Sequence, residues 1–188
     1  MKLQNKLFLL FAISTIIILI VIGGILYKRI WNERLNSINN IVTNQLDHLD
    51  FAVNSFMIEV ENDINELSEN EIIQTKEDSN FTNFLTADEK SFIYNISDTE
   101  QKIIDILNNH RINHPYVNSV YMGRENGSFV RSHKRELPTQ YDPRNRPWYI
   151  LAKNNPSRVM ITEVYPSVTT SDVNIGFVKA LSDDNGKI

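Results

Sequence analysis

The sequence predicts an α+β protein: a membrane-spanning helix that runs on into a second long helix, which packs on an antiparallel sheet. Three observations carry that expectation. Residues 7–27 are 21 positions without a charge. Val42, Leu46, Leu49, Val53, Phe56 and Val60 then recur at alternating spacings of 4 and 3. Beyond His114-Pro115 the pattern turns to short β-rich runs separated by turn residues. Helices followed by strands that succeed one another through hairpins make the α+β class.

A helix needs about 20 apolar residues to cross a bilayer. Residues 7–27 fit an uncleaved anchor, because the apolar run exceeds that of a cleaved signal and no small-residue cleavage site follows it. Residues 1–6 form the tail before the span. Lys2 and Lys6 precede it, whereas Lys28, Arg29 and Arg34 follow it. Charge counting is therefore near a tie and leaves orientation open.

Residues 28–75 read as one long helix. Ile64 and Leu67 extend its stripe, and neither Pro nor Gly occurs between Ile25 and Asn113. Residues 43–79 carry ten acidic residues against one lysine, which marks the opposite face as solvated. The stripe suits a parallel partner helix along its lower part and a sheet along its upper part. A continuous rod of this kind would carry displacement from one end to the other.

Residues 76–188 supply the sheet module. Thr75–Asn83 is a polar connection, and Thr86–Glu89 opens a short helix. Ser97-Asp98-Thr99-Glu100 is a capping-box pattern that starts the next helix, with Ile103, Ile104, Ile106 and Leu107 turned inward. That helix ends before Pro115. Tyr116–Met122 and Ser128–Arg131 are strands around Asn126-Gly127, a two-residue hairpin signal. Trp148–Lys153 forms a short helix. Arg158–Tyr165 and Val173–Leu181 are strands, Asp183–Gly186 is a turn, and Lys187-Ile188 begins a further strand. The module is thus expected to be cut short at its C-terminal end.

Composition removes several functions. The chain has a net charge of −4 and no cysteine. It has no basic cluster with interleaved aromatics, so nucleic acid is not an expected partner. Thiolate metal sites, thiol nucleophiles, phosphate-cradling glycine loops and hydrolase signatures are absent, so no enzyme, cofactor or metal site is expected. His110 and His114 are four apart, but Pro115 is expected to keep them off a shared helical face. His48 and His133 stand apart from them in sequence.

The densest chemistry is Tyr141-Asp142-Pro143-Arg144-Asn145-Arg146-Pro147-Trp148-Tyr149. Each proline fixes its own φ and biases the preceding residue toward extended geometry, so a stiff, non-helical loop is expected up to Pro147. A guanidinium matches a carboxylate, and aromatic rings wall a small ligand. Arg146 is the expected clamp, with Trp148 and Tyr149 as walls and the Tyr141 and Tyr165 hydroxyls orienting the ligand. The competing reading makes Trp148 and Tyr149 core anchors and the arginines surface ion pairs.

Tyr141-x-x-x-x-Arg146-x-Trp148-Tyr149, followed by a strand ending at Tyr165, resembles the membrane-distal module of double Cache domains. These are PAS-like extracytoplasmic sensors of bacterial chemoreceptors, histidine kinases and cyclic-dinucleotide enzymes. The resemblance implies a PAS-like sheet and an extracytoplasmic position for residues after about Ile30. In the amino-acid-binding members it implies that Tyr141, Arg146 and Trp148 hold the ligand carboxylate, and that Tyr149, Tyr165 and two aspartates hold its ammonium. Ser167 stands at the first aspartate position, the second would fall beyond Ile188, and Asp172 is a candidate substitute from the following loop. A carboxylate ligand without an ammonium fits these residues better.

The function so implied is a membrane-anchored sensor. It would bind a small organic acid or amino acid and pass the signal through its long helix in a parallel homodimer. The alternative is a non-sensing, membrane-anchored coiled-coil protein, or a receptor remnant without its output domain.

Overall fold

The computed structural model describes residues 3–156, 158–166 and 173–181. The described chain is mixed α and β, as expected. Helix α1 spans Leu3–Glu69, α2 spans Asp98–Asn113 and α3 spans Pro147–Asn154. Short strands β1 (Tyr121–Gly123), β2 (Phe129–Arg131), β3 (Met160–Ile161), β4 (Tyr165–Pro166), β5 (Val173–Asn174) and β6 (Phe177–Val178) pair in antiparallel ladders β1–β2, β3–β6 and β4–β5. The chain divides into two compact units, residues 1–56 and 57–188.

In the first unit, α1 is long and apolar enough near its N-terminus to cross a membrane. The Ser14 and Thr15 hydroxyls there are satisfied internally: Ser14 Oγ donates to the Phe11 carbonyl at 2.8 Å and Thr15 Oγ1 to that of Ala12 at 2.9 Å. Neither of these two hydroxyls needs a partner from outside the helix. Val42, Leu46, Leu49 and Val53, the lower heptad positions, are exposed.

In the second unit the same stripe is covered. Val60 is buried, and Leu67 packs on a cluster of Ile73, Phe81, Ile103, Leu107 and Val130. The helix stops at Glu69, short of the expected residue 75, because the Asn70 side chain accepts from the Ile72 N–H at 3.0 Å and turns the chain. Arg124 fastens the segment beyond, donating to the carbonyls of Thr75 (2.7 Å) and Ile73 (3.1 Å).

Ser97 caps α2 as its sequence pattern predicts, accepting from the Glu100 N–H at 3.2 Å. The Glu100 carboxylate also reaches a more distant partner, accepting from the Thr82 N–H at 3.0 Å in the core. The short helix expected at Thr86–Glu89 does not form; this stretch is a turn held by Ala87 N–H to Phe84 O at 3.2 Å.

The hairpin also differs from expectation. Arg124–Gly127 is a hydrogen-bonded turn (Gly127 N–H to Arg124 O, 2.9 Å) with Gly127 at φ 85°. The glycine therefore supplies the left-handed residue closing a longer loop, and is not the second residue of a two-residue turn. The strand before it begins only at Tyr121. Alternation along β2 sends Val130 to the α2 cluster and Phe129 to a second one with Phe84, Trp148, Ala152, Val178 and Ala180.

The two long strands expected over 158–165 and 173–181 are each interrupted. Met160 pairs with Val178 and Ile161 with Phe177, while Tyr165 pairs with Asn174 and Pro166 with Val173. The Thr162 N–H donates to Gly176 O at 2.8 Å, so Glu163 and Val164 together oppose Ile175 alone. This is a two-against-one β-bulge, which bends the ribbon. Residues 183–188, with the expected turn and further strand, lie outside the described residues.

Candidate functional site

Asp142 shapes the approach to the loop. Its carboxylate accepts from the Arg144 N–H at 3.0 Å and from the Arg144 guanidinium at 2.9 and 2.8 Å. Those bonds hold the Asp142 carboxyl below the usual carboxylate range. Arg144 is thus an ion-paired arginine. The loop is not wholly extended: Pro143–Asn145 is one 3-10 turn, closed by the Arg146 N–H on Pro143 O at 3.0 Å. Pro147 then starts α3, where a missing N–H costs nothing.

Trp148 is buried in the core against Tyr121 (ring centroids 5.1 Å), Tyr149 (5.7 Å) and Phe129 (6.3 Å). Its Nε1 donates a long hydrogen bond of 3.4 Å to the Tyr141 hydroxyl. Gly123 makes room for it: a Cβ there would come within 2.9 Å of Trp148 Cη2 and 2.7 Å of Pro143 Cβ.

Arg146 lies with its guanidinium 5.8 Å from the Tyr141 ring centre. Its Nε is buried and has no hydrogen-bond partner. Arg135 stands over the same ring at 4.9 Å and over Phe84 at 5.0 Å. Among the described residues neither arginine has a carboxylate partner. Burial pushes the Arg135 and Arg131 guanidiniums down, Arg131 further through its positive neighbour Arg135, yet both stay charged. Burial pushes the Tyr141 phenol up, and Arg146 and Arg135 partly offset it.

Tyr165 enters from the far side of the bulge, with its hydroxyl 3.0 Å from that of Tyr121. Burial and that contact push the Tyr121 phenol far up, so it stays protonated. The structure therefore gathers Tyr141, Arg146, Trp148, Tyr149 and Tyr165 around one core edge. Ser167 and Asp172 lie outside the described residues.

Sequence reasoning missed Tyr121, Arg131 and Arg135. The first two were findable: Tyr121 and Arg131 are cross-strand partners, and period-2 alternation puts Arg131 on the face of Phe129. Arg135 sits in a segment without regular structure, held by its donation to Thr139 O at 3.0 Å, and has no periodic signal.

A cavity of about 320 Å³ adjoins this cluster, lined by Phe84, Tyr94, Phe129, Arg131 and Arg135, with Arg111 and Glu100 from α2. It shares Phe129 and Arg135 with the cluster but is not lined by Arg146, Trp148 or Tyr149.

The expectation for His110 and His114 needs correction. Their rings stack with centroids 4.1 Å apart. Helix α2 runs to Asn113, and His114 is its cap with φ −121° and ψ 90°. The pre-proline restriction is absorbed in that ψ, while the His114 side chain still lies one turn from His110.

The chain is similar to a probable methyl-accepting chemotaxis protein of Bacillus thuringiensis subsp. konkukian, 31% identical over 90 residues, which are 48% of this chain and 14% of that protein. It is also similar to the methyl-accepting chemotaxis proteins McpB (33% over 69 residues, 37% of this chain and 10% of that protein) and McpC (37% over 71 residues, 38% and 11%) of Bacillus subtilis. The matches thus span a small part of those relatives' length. No protein-family model matches the chain.

Proposed function

We propose that this chain is the sensing part of a chemotaxis-type receptor, anchored by residues 7–27, with the second unit outside the cytoplasm. It binds a small carboxylate-bearing ligand beside Tyr141. The partial similarity to chemotaxis proteins and the apolar N-terminal helix support the receptor class. The observation that carries the ligand is the pair of guanidiniums, Arg135 and Arg146, on one tyrosine ring with no described carboxylate to neutralise them. Buried unpaired charge is costly, and a ligand carboxylate offsets that cost with charge-assisted hydrogen bonds. Trp148 and Tyr149 wall the site, and Tyr165 orients the ligand through its hydroxyl. The exposed heptad positions of α1 pair with those of a second copy, and α1 relays the binding event.

One observation favours the competing reading: Trp148 is core, packed by three rings. The test separates the two. The full chain in detergent micelles is heated with a panel of organic acids and amino acids. At about a hundred times its Kd a ligand adds about 2.7 kcal/mol of stability. We expect at least one acid to raise the unfolding midpoint. Arg146→Ala should lose the shift while its ligand-free midpoint stays in place, because the Arg146 side chain makes no capping bond to α3. No shift with any acid, or an undiminished shift in the variant, overturns the proposal.

A further inference from the structure

Asp63 on α1 and His110 and His114 at the end of α2 converge in the second unit. His114 Nε2 lies 3.4 Å from Asp63 Oδ2, and His110 Nε2 lies 3.9 Å from the same oxygen. One ligand atom from each of the three falls within 4.8 Å of the others. All three side chains are half-buried, so they are sheltered yet reachable.

Hydrogen bonding decides which nitrogen is free. His114 Nδ1 is 2.8 Å from the His110 carbonyl oxygen. A carbonyl only accepts, so Nδ1 carries the proton and donates. In the neutral ring Nε2 then holds a lone pair, facing a carboxylate oxygen that offers only lone pairs. His110 brings a second imidazole nitrogen toward that oxygen. Protonating both rings would stack two imidazoliums 4.1 Å apart, like charge on like. A single metal ion satisfies all three groups at once. A backbone carbonyl on the far ring nitrogen is also how metal-binding imidazoles are oriented.

The surroundings favour a cation. Glu59, Asp63 and Glu66 share one face of α1 at spacings of 4 and 3.

We propose that Asp63, His110 and His114 bind one divalent transition-metal ion through two imidazole nitrogens and a carboxylate oxygen, with the remaining positions open to water. This donor set suits Zn²⁺, Co²⁺ or Ni²⁺, whereas Mg²⁺ and Ca²⁺ prefer all-oxygen sites. Ligands at about 2.0–2.1 Å from a tetrahedral ion stand about 3.3 Å apart. The His114–Asp63 pair already meets that spacing, and side-chain rotation closes the other pairs. The ion would clamp the end of α2 to α1. The site is independent of the carboxylate site at Arg146.

The test uses the full chain in detergent micelles, free of any polyhistidine tag. Co²⁺ is titrated while its visible d–d absorption is followed, and Zn²⁺ is then added as competitor. We expect saturation at one ion per chain, displacement by Zn²⁺, and at least tenfold weaker binding in the His110→Ala/His114→Ala double variant. His48→Ala, on the exposed part of α1, serves as the control and leaves binding unchanged. Asp63→Asn, which keeps the side-chain volume, should also weaken binding and covers the case in which the double variant does not fold. Absence of saturable Co²⁺ binding, or parental affinity in Asp63→Asn or the double variant, overturns the proposal.

Discussion

At the scale of single residues, the two arginines of the Tyr141–Tyr149 loop have parted company. Arg144 is satisfied by Asp142 two positions away, whereas Arg146 retains a buried, unpartnered Nε. Sequence alone could not separate them, because the difference arises from the 3-10 turn at Pro143–Asn145. Lysine should not replace Arg146, since a point charge lacks the planar fork; Arg146→Lys is expected to lose ligand-dependent stabilisation almost as fully as alanine does. Trp148→Ala should act on the fold instead. Removing a buried indole costs about 3–5 kcal/mol, read as a lower urea midpoint by circular dichroism. Gly123→Ala drives a methyl into Pro143 and Trp148 and should cost about 1–3 kcal/mol in the same assay, although Gly123 is at the end of a strand where alanine is usually harmless.

At the scale of elements, what was legible was what local chemistry dictates. The Ser97 cap, the end of α2 at Asn113 and Pro147 at the first turn of α3 all follow from neighbours in sequence. Spacing was silent where a distant partner took part. Glu100 carries the right spacing for a capping box, but nothing in that spacing shows that Thr82, eighteen positions upstream, also engages its carboxylate. Burial pushes that carboxyl up, with the Thr82 and Ser97 backbone groups offsetting part of the rise. Between the unfolded and folded values the native state binds more protons than the unfolded chain, so stability falls as pH rises through that window and is level above it. Glu100→Gln keeps an acceptor for Thr82 without a titrating group. It should therefore be more stable than the parent at neutral pH and lose that advantage as pH falls toward the ordinary glutamate range. Parallel pH profiles of the two midpoints would contradict this.

At the scale of the whole molecule, the heptad stripe is one pattern with two fates. Its positions in the first unit are exposed, while Val60 and Leu67 in the second are covered by the chain itself. Spacing revealed the stripe but not where its cover begins, because that depends on how far the sheet module reaches along α1. The proposed parallel dimer gives a direct test, as the chain has no native thiol. Leu49→Cys, on the stripe, should cross-link efficiently under mild oxidation in micelles, and Phe51→Cys, two positions off it, should not. Equal yields would argue against a seam at these positions.

The bulge at Glu163 and Val164 also bears on how this chain tolerates changes of length. One strand of that ribbon holds a spare residue and its partner holds none. Deleting Glu163 or Val164, both exposed, would leave one residue facing Ile175 and restore an even ladder, with Tyr165 still opposite Asn174. Deleting Ile175 would leave two residues facing none and drag every pairing beyond it out of step. Shortening should therefore be accepted on the Tyr165 side of the ribbon and rejected on the Gly176 side.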